Sequence, residues 1–411
     1  MREGWVEAKL GDLVEKIGMG PFGSNIKVST FVTEGVPIIS GAHLIKPILT
    51  EYKFNYLTEE HADRLKGSNV QRGDLVLTHA GTVGQVSLVP ENSKYERYVV
   101  SQRGFYVRPK KSLTDASYLL LFLKYGDGQV QLLSNINRTG VPSLSQPVTF
   151  TKQIKVTLPP IAEQRRIVDV VSSVDAYIDA LQQQVDAART ARDAIEVSEF
   201  DNPKNEISLL GDHCDRFDIQ VGPFGTQLHR HDYVPDGIPV VMPKDIIDGR
   251  ISEANIARIT TQKAEELKKH ILQSGDVLFA RRGDLSKRAL VSDAEAGWLC
   301  GTGTVRVRSS RLGGALLFRL TNTSGVNAWL MDNSVGMTMP NLNTSIISAI
   351  PLRVPENPLE AISLLKTIDE FIQTLNVSLI RAKNLRSGLL SDLLSGEHEI
   401  PVSYDTFLEA A

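Results

Sequence analysis

Cysteine is almost missing from this 411-residue sequence, which holds only Cys214 and Cys300. Two thiols cannot make a disulfide framework, so a reducing compartment and a pair of buried thiols are expected. Long apolar runs are missing too: none approaches the roughly 18 residues that a membrane span needs. The N-terminal Met1-Arg2-Glu3-Gly4-Trp5 has no apolar signal region, so the expectation is a cytoplasmic protein with no membrane partner. No G-x-x-x-x-G-K-[ST] phosphate loop, G-x-S-x-G elbow or H-E-x-x-H helix occurs. No Asn or Asp precedes Pro159-Pro160 to form the base-clasping tetrapeptide of amino-methyltransferases. Cys214 follows His213, with His229 and His231 nearby, but no C-x-x-C or H-x₃₋₅-H spacing supports a metal site. Gly301-Thr302-Gly303-Thr304 is a lone glycine pair in a strand-like segment, read as a bulge or tight approach and not as a nucleotide fingerprint. No catalytic residue and no metal ligand is assigned.

What is present is a duplication. Gly20-Pro21-Phe22-Gly23-Ser24 recurs as Gly222-Pro223-Phe224-Gly225-Thr226, Gly35-Val36-Pro37-Ile38-Ile39 as Gly237-Ile238-Pro239-Val240-Val241, and Gly73-Asp74-Leu75-Val76-Leu77 as Gly275-Asp276-Val277-Leu278-Phe279. All three pairs share one offset of 202 residues. Three matches in one register mark an internal repeat, and the chain is too long for one ordinary core.

Each copy opens with short apolar runs punctuated by Gly, Pro and Asp, at 36–40, 74–78, 85–89 and 104–108 in the first. They predict strands joined by turns and bulges. Helical period is mixed in at 58–66 and 261–270, and at 116–125 and 314–320. An α+β domain with a curved or barrel-like sheet is expected in each copy.

A different pattern follows each domain. Across 161–197, Ile167, Val170 or Val171, Val174, Ile178, Leu181, Val185, Ala188 and Ile195 recur at alternating three- and four-residue steps. From Leu359 to about Leu394, Leu364, Ile368, Phe371 or Ile372, Leu375, Leu379, Ala382, Leu385 and Leu389 do the same. These are single-stripe amphipathic helices of coiled-coil type. An antiparallel pair burying both stripes, with a domain at each end, satisfies them; two helices packed separately on their own domains is the alternative. Pro159-Pro160 starts the first helix, and Glu163 puts a carboxylate in its positive first turn. The expected division is domain 1–158, helix 159–200, domain 201–354, helix and tail 355–411.

The formal net charge of −3 divides unevenly: +5 over 1–158, −4 over 159–200, +1 over 201–354 and −5 over 355–411. The acid sits in the helical connectors. The globular parts are left mildly basic, as expected if they approach phosphates, although ordinary surface variation would also give these values.

Leu158-Pro159-Pro160-Ile161-Ala162-Glu163-Gln164-Arg165-Arg166-Ile167, followed by the long helix, resembles the central conserved region of the specificity subunit of type I restriction-modification systems. Thr139-Gly140-Val141-Pro142-Ser143-Leu144-Ser145 and Gly20-Pro21-Phe22-Gly23-Ser24 are similar to that family's recurring turns. The second copy departs from it: Pro355-Glu356-Asn357-Pro358-Leu359-Glu360-Ala361 lacks the proline pair and the glutamine, and Thr338-Met339-Pro340-Asn341-Leu342-Asn343 replaces the glycine turn. The resemblance implies a non-catalytic subunit whose two target recognition domains each read half of a bipartite double-stranded DNA site. It also implies helices that set the spacing, two methyltransferase (modification) subunits docked on them, and restriction (motor nuclease) subunits added for cleavage. Cofactors are then none in this chain, with S-adenosylmethionine, ATP and Mg on the partner subunits.

Direct readout needs polar or cationic side chains on loops that enter a groove. In the first domain these are Ser24, Asn25, Lys27, His79, Thr82, Arg103 and Arg138; in the second, Thr226, Gln227, Arg281, Arg282, Arg306 and Asn341. An ordinary turn or a solvated surface cation is the alternative at each. Arg281-Arg282-Gly283-Asp284 stands where the first copy has His79-Ala80-Gly81-Thr82, as two readers of different half-sites require. The acidic helices suit protein partners better, with Gln164, Arg165 and Arg166 as candidate docking residues. Two other classes stay open: a non-catalytic protein-binding scaffold with two ligand domains on a coiled-coil spacer, and a hydrolase with a degenerate site.

Overall fold

The computed structural model describes residues 2–138, 140–335 and 341–405, except the side chain of Ser24. Thr139 and Thr338-Met339-Pro340 of the compared turns lie outside the described residues. The chain forms two compact units, one of residues 1–182 and 378–411, the other of 183–377. The division falls inside both long helices, Ile161–Phe200 and Pro358–Ser395, so each unit owns part of each.

In the first unit an antiparallel sheet runs in the order Val14–Met19, Gly104–Pro109, Leu75–Thr78, Val86–Leu88. All four residues of Leu75–Thr78 are buried, which is why this segment reads as an unbroken apolar run. Strand alternation sends Leu75, Leu77, Phe105 and Val107 into one core and Val76 and Tyr106 into another. A second sheet orders Tyr56–Leu57, Val36–Ile39, Arg97–Val100 and Asn69–Gln71, with Val36–Ile39 and Arg97–Val100 parallel. Val6–Lys9 pairs with Lys155–Leu158, tying the two ends of the domain together. The helix Ala116–Tyr125 starts at Asp115, whose carboxylate accepts from the Ser117 and Tyr118 amides at 2.8 and 3.3 Å.

The second unit repeats this. Its first sheet runs Ile219–Val221, Thr304–Val307, Val277–Ala280, Arg288–Leu290. Its second holds the parallel pair Ile238–Val241 and Leu299–Cys300, and Glu206–Leu209 pairs with Pro351–Val354. Four further helices had no sequence signal: Asp127–Ser134, Pro147–Gln153, Ser324–Asn333 and Thr344–Ser348. Each is at most ten residues long, too short to display a clear period.

The helical segments run antiparallel within each unit. In the first, Ile167 and Val171 share a core with Leu390, Leu393 and Leu394, and Arg386 pairs with Asp175. In the second, Ile195 and Phe200 share a core with Ala361 and Leu365, and Arg192 meets Asp369 at 2.8 Å. The stripe on the second helix differs from its expected positions. Leu365 and Leu390 are buried, whereas Leu364, Phe371 and Leu385 are exposed. A seam at 365, 368, 372, 375, 379, 382 and 386 keeps the three-four spacing but places Arg386 where Leu385 had been expected.

Candidate nucleic-acid interface

Sheet topology decides which loops meet. In an antiparallel sheet ordered as above, the end of Val14–Met19, the start of Gly104–Pro109, the end of Leu75–Thr78 and the start of Val86–Leu88 share one edge. The segments leaving that edge carry Gly23–Asn25, Gln102-Arg103 and His79–Thr82. Backbone bonds lock them together: Gly20 N–H to Gly104 O at 2.9 Å, His79 N–H to Arg103 O at 2.9 Å, and Leu144 N–H to His79 O at 2.8 Å. Gly81 N–H donates to Pro142 O at 3.0 Å, bringing in the hairpin of Ile136–Asn137 and Ser143–Leu144. Gly20 is required by the approach itself, because a Cβ there would lie 1.9 Å from the Ser101 carbonyl oxygen. Gly222 repeats this at 2.0 Å from Gly301 O.

Most sequence-predicted residues of the first domain gather on this edge. Asn25, Lys27, Thr82, Arg103 and Arg138 are exposed there, while nothing is described of the Ser24 side chain. His79 is half-buried; its Nε2 lies 3.1 Å from the Gln102 carbonyl oxygen, and burial pushes its pKa down. Sequence reasoning missed Gln102, whose amide donates to Gly23 O (2.7 Å) and Ile26 O (3.1 Å) and so fastens the Gly-Pro-Phe-Gly turn to the sheet. In the second copy Thr302 does this, donating to Pro223 O at 2.8 Å.

The second domain forms the same edge. Thr226 and Arg282 are exposed, and Gln227 is half-buried. Arg281 is partly withdrawn: its Nε donates to Leu342 O at 2.8 Å, and burial with the adjacent Arg282 pushes its pKa down. Asn341 is half-buried and bridges both Arg282 and Val335. Arg306 corrects an expectation. It is 6% exposed, in the strand position of the buried Tyr106, and donates to Phe217 O at 2.7 Å. Alternation turns it away from Val305 and Val307 and into the domain, so it is not an exposed reader.

The docking expectation is likewise corrected at two of three residues. Gln164 is fully buried, accepting from Asp115 N–H at 2.8 Å and donating to Pro159 O at 2.9 Å. Arg166 is 7% exposed and pairs with Asp405 at 2.9 Å. Only Arg165 of the three is exposed. Glu163 also faces inward, accepting from Arg2 Nη1 at 2.7 Å and Trp5 Nε1 at 3.0 Å. The Pro-Pro-x-x-Glu-Gln-Arg-Arg stretch is thus chiefly an internal brace.

A pair of buried carboxylates also escaped sequence reasoning. Asp74, 1% exposed, receives a bidentate grip from Arg108 at 2.8 and 2.7 Å. Asp276, 0% exposed, receives the same from Arg308 at 2.6 and 2.8 Å. Burial pushes the Asp74 carboxyl up, against the opposing pull of Arg108. Both aspartates stand in the repeated Gly-Asp turn, which was the available signal.

Among the described residues no group of three or more His, Cys, Asp or Glu could hold a metal. His213 Nε2 lies 2.7 Å from Ser208 Oγ and Cys214 Sγ donates to Arg308 O, so the two are separately engaged. Burial pushes both thiols up to about 11. Gly301 is a tight approach, since a Cβ there would lie 2.6 Å from Val241 O. No helix among the described residues is long and apolar enough to cross a membrane.

Residues 2–188 match the family described as the type I restriction modification DNA specificity domain. The MjaVIII specificity subunit of Methanocaldococcus jannaschii, a type I restriction enzyme, is 20% identical over 96% of this chain and 93% of its own length. The putative MjaX specificity subunit of that organism is 23% identical over 46% of this chain and 44% of its own. The fold is shared with the S subunit from M. genitalium (TM-score 0.54, 12% identity, 95% and 96% of the two chains covered). It is also shared with HsdS from Thermoanaerobacter tengcongensis (TM-score 0.52, 16% identity, 97% and 98% covered). A chain from a structure on complex assembly and conformational transition of the type I restriction-modification system gives 0.57, at 15% identity and 96% and 98% coverage. Residues 2–188 thus match the type I restriction modification DNA specificity domain, and the duplicated edges and long helices share the fold of the specificity subunits named above.

Proposed function

We propose that each unit reads one half of a bipartite, asymmetric DNA site, and that the acidic helices dock two modification subunits, to which restriction subunits are added. The partners would bring S-adenosylmethionine for adenine methylation and ATP with Mg for cleavage. One observation carries this reading: equivalent edges with unlike chemistry. The scaffold repeats down to the buried Asp74–Arg108 and Asp276–Arg308 pairs. At the loop the scaffold presents, His79-Ala80-Gly81-Thr82 is exchanged for Arg281-Arg282-Gly283-Asp284. A scaffold kept in duplicate with different side chains displayed is what reading two different half-sites demands.

The test is selection of bound duplexes from a random pool by the full chain, alone and with its methyltransferase partner. The expected result is enrichment of two short motifs at a fixed separation, with affinity falling steeply as salt rises because several phosphates are neutralised. Enrichment of no split motif, or binding insensitive to salt, sinks the proposal.

A further inference from the structure

A cleft of about 380 Å³, partly open to solvent, lies at the recognition edge of the first unit, between the turn at Gly41–His43 and the loop at 78–85. Its walls include Gly41, Ala42, Ile45, Thr82, Gln85 and Arg103. Gln85 Oε1 is buried and has no hydrogen-bond partner among the described residues. A Cβ on Gly41 would lie 3.3 Å from that oxygen, so any larger residue there would press on the amide. Ala42 and Ile45 give the rim an exposed apolar side, with Ile45 68% exposed, and Arg103 gives it a cation.

The second unit does not repeat this cleft's chemistry, and its backbone bonds fix the equivalences. Thr78 N–H donates to Gln85 O as Ala280 N–H donates to Lys287 O, and His79 N–H donates to Arg103 O as Arg281 N–H donates to Gly303 O. The turn Pro243–Asp245 stands for Gly41–His43. Gly41, Gln85 and Arg103 thus become Pro243, Lys287 and Gly303, and a Cβ on Gly303 would lie 3.3 Å from the Pro243 ring. The proline crowds the space that glycine leaves open in the first unit.

We propose that this cleft reads one A·T base pair of the first half-site, with Gln85 as the residue that determines specificity there. An amide satisfies itself on a partner that offers a donor beside an acceptor. Adenine alone presents that pair on its major-groove edge, in N6–H and N7, while guanine offers two acceptors and cytosine and thymine lack a neighbouring ring acceptor. Ala42 and Ile45 suit the methyl group of the paired thymine, and Arg103 suits a flanking phosphate. Oε1, buried and unpaired in the free chain, gains its donor when the Gln85 side chain turns outward to the adenine amino group.

This inference rests on the DNA-reading proposal, and selection from a random duplex pool by the full chain separates their failures. The wild-type chain is expected to enrich a split motif with an A·T pair at one position. Gln85→Leu keeps the shape and removes the amide; preference for that pair should fall about 5- to 100-fold, with every other position and the whole second half-site unchanged. Gln85→Glu keeps the acceptor and removes the donor to N7, so preference should move toward cytosine in place of adenine. The unchanged second half-site shows that each variant is folded. If both variants select the wild-type motif, or weaken all positions equally, the reading pocket is wrong although DNA recognition stands. If the wild-type chain selects no split motif, both fall together.

Discussion

Arg386 grips Asp175 with two hydrogen bonds, from Nε to Oδ1 and from Nη2 to Oδ2, the latter at 2.9 Å, and its guanidinium lies 4.5 Å from the centre of the Tyr125 ring. The segments of the two long helices in the first unit are joined there by a charged pair beside the buried seam residues Leu379 and Ala382. A polar seam residue fixes register, because slipping either helix would leave the guanidinium without its carboxylate. Arg386→Ala should lower the stability of this unit by about 1 kcal/mol, through loss of the two-point grip on the partly exposed Asp175 and of the packing on Tyr125. Arg386→Met, which keeps the packing on Tyr125, should recover part of that loss while permitting alternative helix registers. Chemical denaturation gives the first effect and cross-linking of cysteine pairs placed along the helices gives the second. Equal stability of all three chains would refute the register role.

Asp74 and Asp276 make equivalent buried pairs with Arg108 and Arg308. Removing one partner strands the other's charge, so Asp74→Ala and Asp276→Ala should each cost about 2–4 kcal/mol. The damage should stay within the unit that carries the substitution. Amide hydrogen exchange checks this: protection should fall across Gly104–Pro109 for the first variant and across Thr304–Val307 for the second. Loss of protection in both units from either variant would contradict the independence of the two cores.

Glu163 is gripped by Arg2 and Trp5, and so is a brace and not a docking group. Glu163→Gln keeps an acceptor for the indole N–H and loses the ion pair, whereas Glu163→Ala loses both. Stability should fall by about 1 and about 2 kcal/mol respectively. Of the three indole N–H resonances, those of Trp5, Trp298 and Trp329, only that of Trp5 should move. A shift at Trp298 or Trp329, or none at Trp5, rules the brace out. Arg165→Ala, in contrast, should leave stability unchanged and weaken capture of modification subunits.

His270 makes the second unit sensitive to acid. Its ring is 1% exposed, and burial, reinforced by Lys269 and Arg306, pushes its pKa down to about 4. The unfolded side chain titrates near about 6.5, so between those values the unfolded chain binds more protons than the folded one. Stability is therefore full above about pH 6.5 and falls toward pH 4, by on the order of 2 kcal/mol. His270→Gln should flatten that slope in denaturation curves taken across the range. An unchanged slope would show that other groups carry it.

How much of this the sequence disclosed depends on whether a feature is periodic or three-dimensional. The glycines at 20 and 222 are legible because a close backbone approach permits nothing larger, and the repeat exposes them. Leu75–Thr78 is legible as a run buried on both faces. Arg306 was misread because its charge outweighed its alternation with Val305 and Val307, both in the core. Gln164 and Arg166 look from sequence like exposed docking groups; only contacts with Asp115 and Asp405, distant in sequence, reveal them as buried. Leu364 and Leu365 are adjacent leucines, and no periodicity argument settles which of them enters the seam.

The difference between the two recognition edges predicts separable effects on DNA. Arg282 and Arg103 are both exposed, one on each unit's edge, but they occupy unlike loop positions. Arg282→Ala should change or relax base preference only in the half-site read by the second unit, because a bidentate arginine contact carries about 1–3 kcal/mol of discrimination. Arg103→Ala, if it meets a phosphate, should weaken all duplexes alike and make the salt dependence shallower by about one ion. The two measurements are the motif selected from a random pool and the slope of affinity against salt. Should Arg282→Ala alter both half-sites together, the units do not read independently, and the duplicated edges would have to act as one composite surface.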